Sequence, residues 1–573
     1  MNESSPTAIP QSQARLPSWL IALGVSILAS LALLLPFFWL GSASGHDFEF
    51  HVASWLDVAY QWKQGVLFPR WTAWTNFGFG EPRFIFYPPL SWILGAALSL
   101  ILPISWVPAA FILLTQTLAG VSAFFLLRKL TANTPAYLGA AFYAANPYAL
   151  LVSYVRSDFA EQLACAIFPL LLLAALRLVG PLQEEKPKLS TIPLFALPFA
   201  TVWLCNAPAG VIASYSMALL FGWAALTQRS WKIALRGIAG LALGFGLAGY
   251  YLIPAAYEQR WVNIGQALSS GLLPAQNFLF TRIADVEHTW FNWISSLCAI
   301  ALILLTALTA FASRRFSRGA TISTGPKALW DTALLLLGSV ATVMMLRLTA
   351  ALWNLLPEMR FVQFPWRWMS ILAVVCSCFL AAAVERRRGW MWFVLVAILS
   401  FPLGYFLTQN TWWDPDEMAT QLAAINTSTG YEGVDEYDPL GDDHLELPKH
   451  APLTEIFPES SKNADRKPPN AKTQVEIWRT DNHKVLVEYS GPARVALRLL
   501  NYPTWQVTVN GKTVTPEKPD DLDQMLVPIE AGRSEIQVRF VRTTDQTAGN
   551  ALSLFSLLLA AGLLASRKPL NAA

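Results

Sequence analysis

The chain has 573 residues, 54% of them hydrophobic and only 14% charged, with a mean hydropathy of +0.40, outside the range of soluble globular proteins. It reads as a polytopic α-helical membrane protein. The formal net charge of +3 is too small and too dispersed for a nucleic-acid footprint, so no nucleic acid is expected as a partner.

The N-terminus, Met1 to Pro17, carries a single basic residue, Arg15, and no small-residue cleavage site follows Leu40. The apolar run from Leu16 to Leu40 therefore reads as a retained span and not a removed signal peptide. Polarity returns abruptly at Gly45-His46-Asp47-Phe48-Glu49-Phe50-His51, which places two acids and two histidines at the end of that span. From Trp55 to Tyr87 tryptophans alternate with Asp57, Lys63, Arg70, Glu81 and Arg83, the pattern of an ordered loop at the membrane interface. The apolar piece from Pro88 to Leu102 would invert every later loop if it crossed the bilayer, so it reads as a re-entrant or interfacial helix.

Orientation follows from the basic clusters Arg128-Lys129, Lys186 with Lys188, Arg229 to Arg236, Arg314 to Arg318 with Lys327, Arg386-Arg387-Arg388 and Arg567-Lys568. Short cytoplasmic loops carry the excess of Lys and Arg. Alternation between them predicts about twelve spans, near 18–40, 106–127, 136–153, 162–180, 190–205, 209–226, 237–254, 291–312, 330–348, 368–384, 390–408 and 549–566. Both termini are then cytoplasmic. Residues 1–408 form the multi-span domain, with an external loop at 41–105. Residues 409–471, with Asp435-Glu436-Tyr437-Asp438-Pro439 and Asp442-Asp443, read as an acidic, proline-rich external linker. Between 472 and 545 the hydrophobic period becomes two, as in Val485 and Val487 or Val495, Leu497 and Leu499, and Asn510-Gly511 marks a hairpin. This predicts a small external β-sandwich-like domain ahead of the last span, 549–566.

The candidate site residues sit on the predicted external side. Asp47 is the first choice for catalysis, because a half-desolvated carboxylate beside groups able to bind a proton, His46 and His51, marks a site. Glu49 shares the stretch and is equally well read as a solvated loop acid. Asp158 and Glu161 are three residues apart at a span start, where acids serve either the helix dipole or a ligand. Arg156 beside them is suited to holding a phosphate through its planar fork. Gln363, Trp366 and Arg367 lie near a Pro-marked helix start, an arrangement that fits an anionic headgroup, whereas Arg260 and Arg360 are better read as interface anchors. The chain has no phosphate-binding glycine loop and no His-Glu-x-x-His. Its five cysteines, Cys165, Cys205, Cys298, Cys376 and Cys378, have neither zinc-site spacing nor the look of a disulfide framework.

These pieces together resemble the GT-C superfamily of membrane glycosyltransferases. More closely, the chain resembles the bacterial membrane family labelled 6-pyruvoyl-tetrahydropterin synthase-related, a neighbour of the YfhO-like proteins. The likeness rests on His46-Asp47 with His51, Tyr87-Pro88-Pro89, Tyr154 and Arg156 with Glu161, Pro254-Ala255 with Glu258, Gln363-Phe364-Pro365-Trp366-Arg367, Asp435-Glu436-Tyr437, and Tyr502-Pro503 with Trp505. Asp158 and Asn206 depart from the family's pattern, and the six scattered histidines give no support to the soluble synthase's activity. The GT-C resemblance implies transfer of a sugar from a polyprenyl-phosphate carrier to an acceptor at the external, periplasmic face of the inner membrane. Asp47 would then act as general base or, with Asp158 and Glu161, as ligand to a divalent cation, Mg or Mn. Arginines would stabilise the departing lipid phosphate, and membrane lipids would surround the spans. Two other classes stay open: a lipid or polysaccharide transporter or flippase, and a non-catalytic scaffold for envelope glycan assembly.

Overall fold

The computed structural model describes residues 16–180, 188–315, 326–386, 389–414, 416–440, 447–458, 471–517 and 524–566. Of the residues used above for orientation and linker, Lys186, Arg318, Arg387, Arg388, Asp442, Asp443, Arg567 and Lys568 lie outside these.

Among the described residues, six helices are long and apolar enough to cross a bilayer: Ile104–Leu127, Phe159–Val179, Ala207–Thr227, Val286–Arg314, Pro365–Glu385 and Thr544–Ala565. Two bent pairs raise this to eight, Trp231–Leu247 with Gly249–Trp261 at 75° and Leu329–Met344 with Arg347–Leu355 at 89°. Among the described residues the expected count of twelve full-length spans is not confirmed. Four apolar helices, Ser18–Leu34, Pro89–Ile101, Thr191–Cys205 and Val394–Gln409, are shorter. Proline and asparagine explain two of the differences. The first helix is interrupted at Leu35-Pro36, where the proline has no N–H for the ladder, so 18–40 is not one uninterrupted helix. The expected span 136–153 is broken at Asn146-Pro147, where the Asn146 side chain accepts from the N–H groups of Tyr148 (2.9 Å) and Ala149 (3.3 Å) and starts a new helix. Pro365–Glu385 is the central helix, 83% buried, while Thr544–Ala565 is 17% buried and presents Leu554, Phe555, Leu557 and Leu558 outward.

The interfacial stretch holds more order than its sequence suggests. Phe48–Lys63 is a helix, not loop, and packs on the short helix Pro89–Ile101. Asp57, fully buried on that helix, accepts the backbone N–H groups of Ala73 (2.7 Å) and Trp74 (3.2 Å) and a Gln61 amide hydrogen (2.8 Å). Burial pushes its carboxyl up to about 6, against these hydrogen bonds. Glu81 and Arg83 form a buried ion pair at 2.6 Å.

The β region contains eight antiparallel strands: β1 (Thr454–Pro458), β2 (Lys472–Arg479), β3 (Asn482–Tyr489), β4 (Ala493–Leu500), β5 (Trp505–Val509), β6 (Lys512–Val514), β7 (Gln524–Ile529) and β8 (Gly532–Phe540). They build two sheets, ordered β1-β4-β7 and β2-β3-β8-β5-β6. Asn510 and Gly511, both at positive φ, turn β5 into β6 as their sequence predicts. The linker reading of 409–471 needs correction: it contributes β1 and a helix, Glu417–Asn426. Trp71, Phe79, Ile85 and Phe86 from the 41–105 loop share one apolar core with Val485, Val495, Val507, Ile536 and Val538. The loop and the β region are thus a single packed body.

Candidate active site

Two chain segments meet through a short backbone pairing. Asp47 N–H donates to the Arg156 carbonyl at 2.9 Å and His46 N–H to that of Val155 at 3.3 Å. The Ser157 hydroxyl accepts from Gly45 N–H (3.0 Å) and donates to the Ala43 carbonyl (2.9 Å). Glycine is required at 45, since a Cβ there would stand 2.4 Å from the Val155 carbonyl oxygen. Val152–Arg156 is a π-helical turn ending in a left-handed Ser157 at φ 51°, which opens the chain just before the span that starts at Phe159.

The pairing brings together an ionic cluster from three distant parts of the sequence. The Arg156 guanidinium donates to the Asp47 carboxylate and lies 3.8 Å from Asp158. Arg367 reaches Asp158 at 3.2 Å, Glu161 at 3.1 Å and the Val362 carbonyl at 3.1 Å. His51 Nε2 is 3.7 Å from Asp158, and the Tyr148 hydroxyl donates to Glu161. Asp158 serves both roles weighed for it, because its Oδ1 caps the helix by accepting from Glu161 N–H at 2.9 Å while Oδ2 faces Arg367. Only Asp47 keeps an open face. Its side chain is 29% exposed, against 3% for Asp158, 1% for Glu161 and 5% for each arginine.

The two aspartates are driven apart electrostatically. Burial lifts the Asp47 carboxyl above its usual range, with the Asp158 charge adding to the rise and Arg156 opposing it. For Asp158 burial acts in the same sense, but His51, Arg367 and Arg156 outweigh it and hold the carboxyl well below the usual range. Such divergence separates a basic carboxylate from a permanently ionised one.

Gln363, Trp366 and Arg367 support the cluster. Gln363 stands at φ 63°, ψ −55°, with Phe364 N–H donating to the Val362 carbonyl at 2.6 Å, a γ-turn of the strained hand. Its side-chain amide donates to the Ala267 carbonyl at 2.8 Å, so its polar end is used internally. Trp366, 1% exposed, stacks on Phe364 at 5.1 Å, and the Arg156 guanidinium lies 4.8 Å from the Phe364 ring centre. His46 is at the exposed rim between Phe291 (4.7 Å) and Trp412 (5.1 Å).

Glu49 is not brought to this cluster. Two residues beyond Asp47 on a helix it turns to the other side, where Gln421 donates to it. The charge pattern also does not suit a Mg or Mn ion at Asp47, Asp158 and Glu161. Each carboxylate already faces a guanidinium, and a divalent cation would stand beside two fixed positive charges. Among the described residues no group of three His, Cys, Asp or Glu side chains is arranged to hold a metal. Two neighbours were missed as site residues. Tyr87 packs 5.8 Å from His51, and its hydroxyl is raised by burial and by Asp158 and Asp47. The Glu436 carboxyl is pushed up to about 7 by burial, with Glu81 and Asp47 adding to the rise. Both lie in motifs, Tyr87-Pro88-Pro89 and Asp435-Glu436-Tyr437, that carried the family likeness.

No curated protein sequence matches the chain. Solved structures similar to it include the Archaeoglobus fulgidus oligosaccharyltransferase in the apo form (13% identity, 68% of this chain and 55% of that one, TM-score 0.37). Others are the archaeal oligosaccharyltransferase AglB from Archaeoglobus fulgidus with an inhibitory peptide and a dolichol-phosphate (14%, 73% and 56%, 0.34), and ArnT from Cupriavidus metallidurans bound to undecaprenyl phosphate (12%, 77% and 93%, 0.31). The chain spans about half the length of the two archaeal proteins. Superpositions this loose carry no information about chemistry. The family described as the 6-pyruvoyl-tetrahydropterin synthase related domain, a membrane protein family, matches residues 84–411, more than half of the sequence, and the chain belongs to it.

Proposed function

We propose that the protein is a membrane glycosyltransferase of GT-C type, moving a sugar from a polyprenyl-phosphate-linked donor to an acceptor hydroxyl at the periplasmic face of the bacterial inner membrane. The observation that supports it is the Asp47–Arg156 pair at the open edge of a sealed ionic cluster. A general base needs raised basicity and access to the incoming hydroxyl, and Asp47 combines the two. In the reaction the acceptor proton passes to the Asp47 carboxylate and the acceptor oxygen bonds to the anomeric carbon. The bond from that carbon to the carrier phosphate breaks, and the phosphate leaves with the electron pair. Protonation of Asp47 releases the Arg156 charge, which is then free to neutralise the leaving phosphate. Asp158 and Glu161, held by Arg367, fix Arg156 and Tyr148 in place. His46 and Trp366 flank the entrance and the packed wall respectively.

Asp47→Asn keeps size and shape but removes the base. In proteoliposomes with a polyprenyl-phosphate hexose donor, transfer should fall by about 10²- to 10⁴-fold with an unchanged melting temperature. The parental rate should rise with pH through the raised range of the Asp47 carboxyl, since the base works only when ionised, and the variant should lose that rise. Parental transfer by Asp47→Asn would reject the assignment.

A further inference from the structure

A cavity of about 490 Å³ opens between the β region and the interfacial loop, and none of the Asp47 cluster lines it. Its walls come from stretches that meet only in the fold: Tyr60 and Gln64 at the end of the helix Phe48–Lys63, Trp71 to Phe79, the segments 427–429 and 449–453, and strands β2, β3 and β4 with the β2–β3 turn. Its charged lining is of one sign. Lys449, Arg479 and Arg498, with His450, line it, and among the described residues no Asp or Glu does, although Arg479 is paired with Asp481 at 3.3 Å just outside the lining. Among the described residues Arg498 makes no carboxylate pair and its Nε has no partner; its Nη1 donates to the carbonyls of Ser428 (3.3 Å) and Ala451 (3.4 Å).

The remaining lining is aromatic and hydroxylic. Tyr60, Trp71, Trp74 and Trp478 contribute rings, and Thr72, Thr427, Ser428, Thr429 and Thr480 contribute hydroxyls. Trp478 lies against the buried His483 at 4.5 Å. A purely apolar ligand would leave the cationic side chains without a counter-charge, and a bare anion would leave the rings unused. A small ring bearing many hydroxyls and a negative charge satisfies all three features, and the volume suits one or two sugar rings.

We infer that this cavity is a binding site for an anionic saccharide, distinct from the Asp47 cluster and standing whether or not the chain transfers sugar. Calorimetric titration of the full-length protein in detergent with galacturonic acid and its dimer, galactose and inorganic phosphate tests it. The uronates should bind, with galactose and phosphate each at least about tenfold weaker, and the affinity should fall with salt. Arg498→Gln and Lys449→Ala should each weaken uronate binding by about tenfold, and Asp47→Asn should leave it unchanged. Lys449 is exposed, so Lys449→Ala keeps the test valid if Arg498→Gln fails to fold. Absence of uronate binding, equal binding of galactose, equal binding of phosphate, or parental affinity in folded variants would each overturn the proposal.

Discussion

Arg367 shows how one side chain changes meaning once its surroundings are known. Its position near a Pro-marked helix start suggests a phosphate ligand, yet its guanidinium is spent on Asp158, Glu161 and the Val362 carbonyl, with only 5% of the side chain exposed. Removing it would leave Glu161 buried without its cation and Asp158 with only the more distant Arg156, at 3.8 Å. Breaking a buried pair by deleting one partner costs about 3–5 kcal/mol, so Arg367→Met should lower the melting temperature in detergent severely. Arg367→Lys should recover part of the loss, because a point charge cannot reproduce the planar fork between two acids. A parental melting temperature for Arg367→Met, combined with lost binding of polyprenyl-phosphate, would instead make Arg367 the phosphate ligand. The asymmetry within the cluster also explains why Asp47 is the better position for chemistry: it alone can lose or gain a partner without exposing a sealed charge.

At the scale of elements, the pairing of Ala43–Asp47 with Val155–Ser157 is what registers Asp47 and the helix that follows it against the Arg156–Glu161 part of the cluster. Gly45→Ala would drive a methyl group into the Val155 carbonyl, 2.4 Å away, and backbone cannot yield as a side-chain tip can. The expected cost is about 1–3 kcal/mol, read as a fall in melting temperature, with transfer reduced further because Asp47 is displaced from Arg156. Stability and activity both at parental level would show that the segments pair differently. These close approaches are only partly legible in a sequence. Local periodicity announces the strands from Val485 to Phe540 and the Asn510-Gly511 turn, because alternation and turn chemistry are local properties. Asp57, Glu81 and Arg83 look like the charges of an interfacial loop, since nothing local reveals that backbone N–H groups or one another will satisfy them. Candidate residues Asp47, His51, Arg156, Asp158, Glu161 and Arg367 can be chosen by chemistry and span position. Their mutual pairing is tertiary, and so is the separation of Glu49, which the helix carries to the opposite side.

For the whole molecule, the packed body formed by the 41–105 loop and the β region fixes their common side, because they share one core. Ile104–Leu127 leads away from that body, and its 24 residues rise about 36 Å, enough to cross a hydrocarbon core of about 30 Å. Arg128-Lys129 at its far end therefore lies across the membrane from the β strands if this helix spans fully. Short basic turns favour the cytoplasm, so the expected location of the β region and the Asp47 cluster is outside it. The native cysteines give little background for a labelling test, since Cys205, Cys298, Cys376 and Cys378 are buried and Cys165 is half-buried. Single cysteines at exposed Lys512 in β6 and exposed Asn133 beyond the basic turn should therefore report cleanly. A membrane-impermeant maleimide should label Lys512→Cys in spheroplasts and Asn133→Cys only after permeabilisation. Labelling of both before permeabilisation, or of neither, would refute this sidedness. It would also move the proposed base to a compartment where an external acceptor cannot reach it.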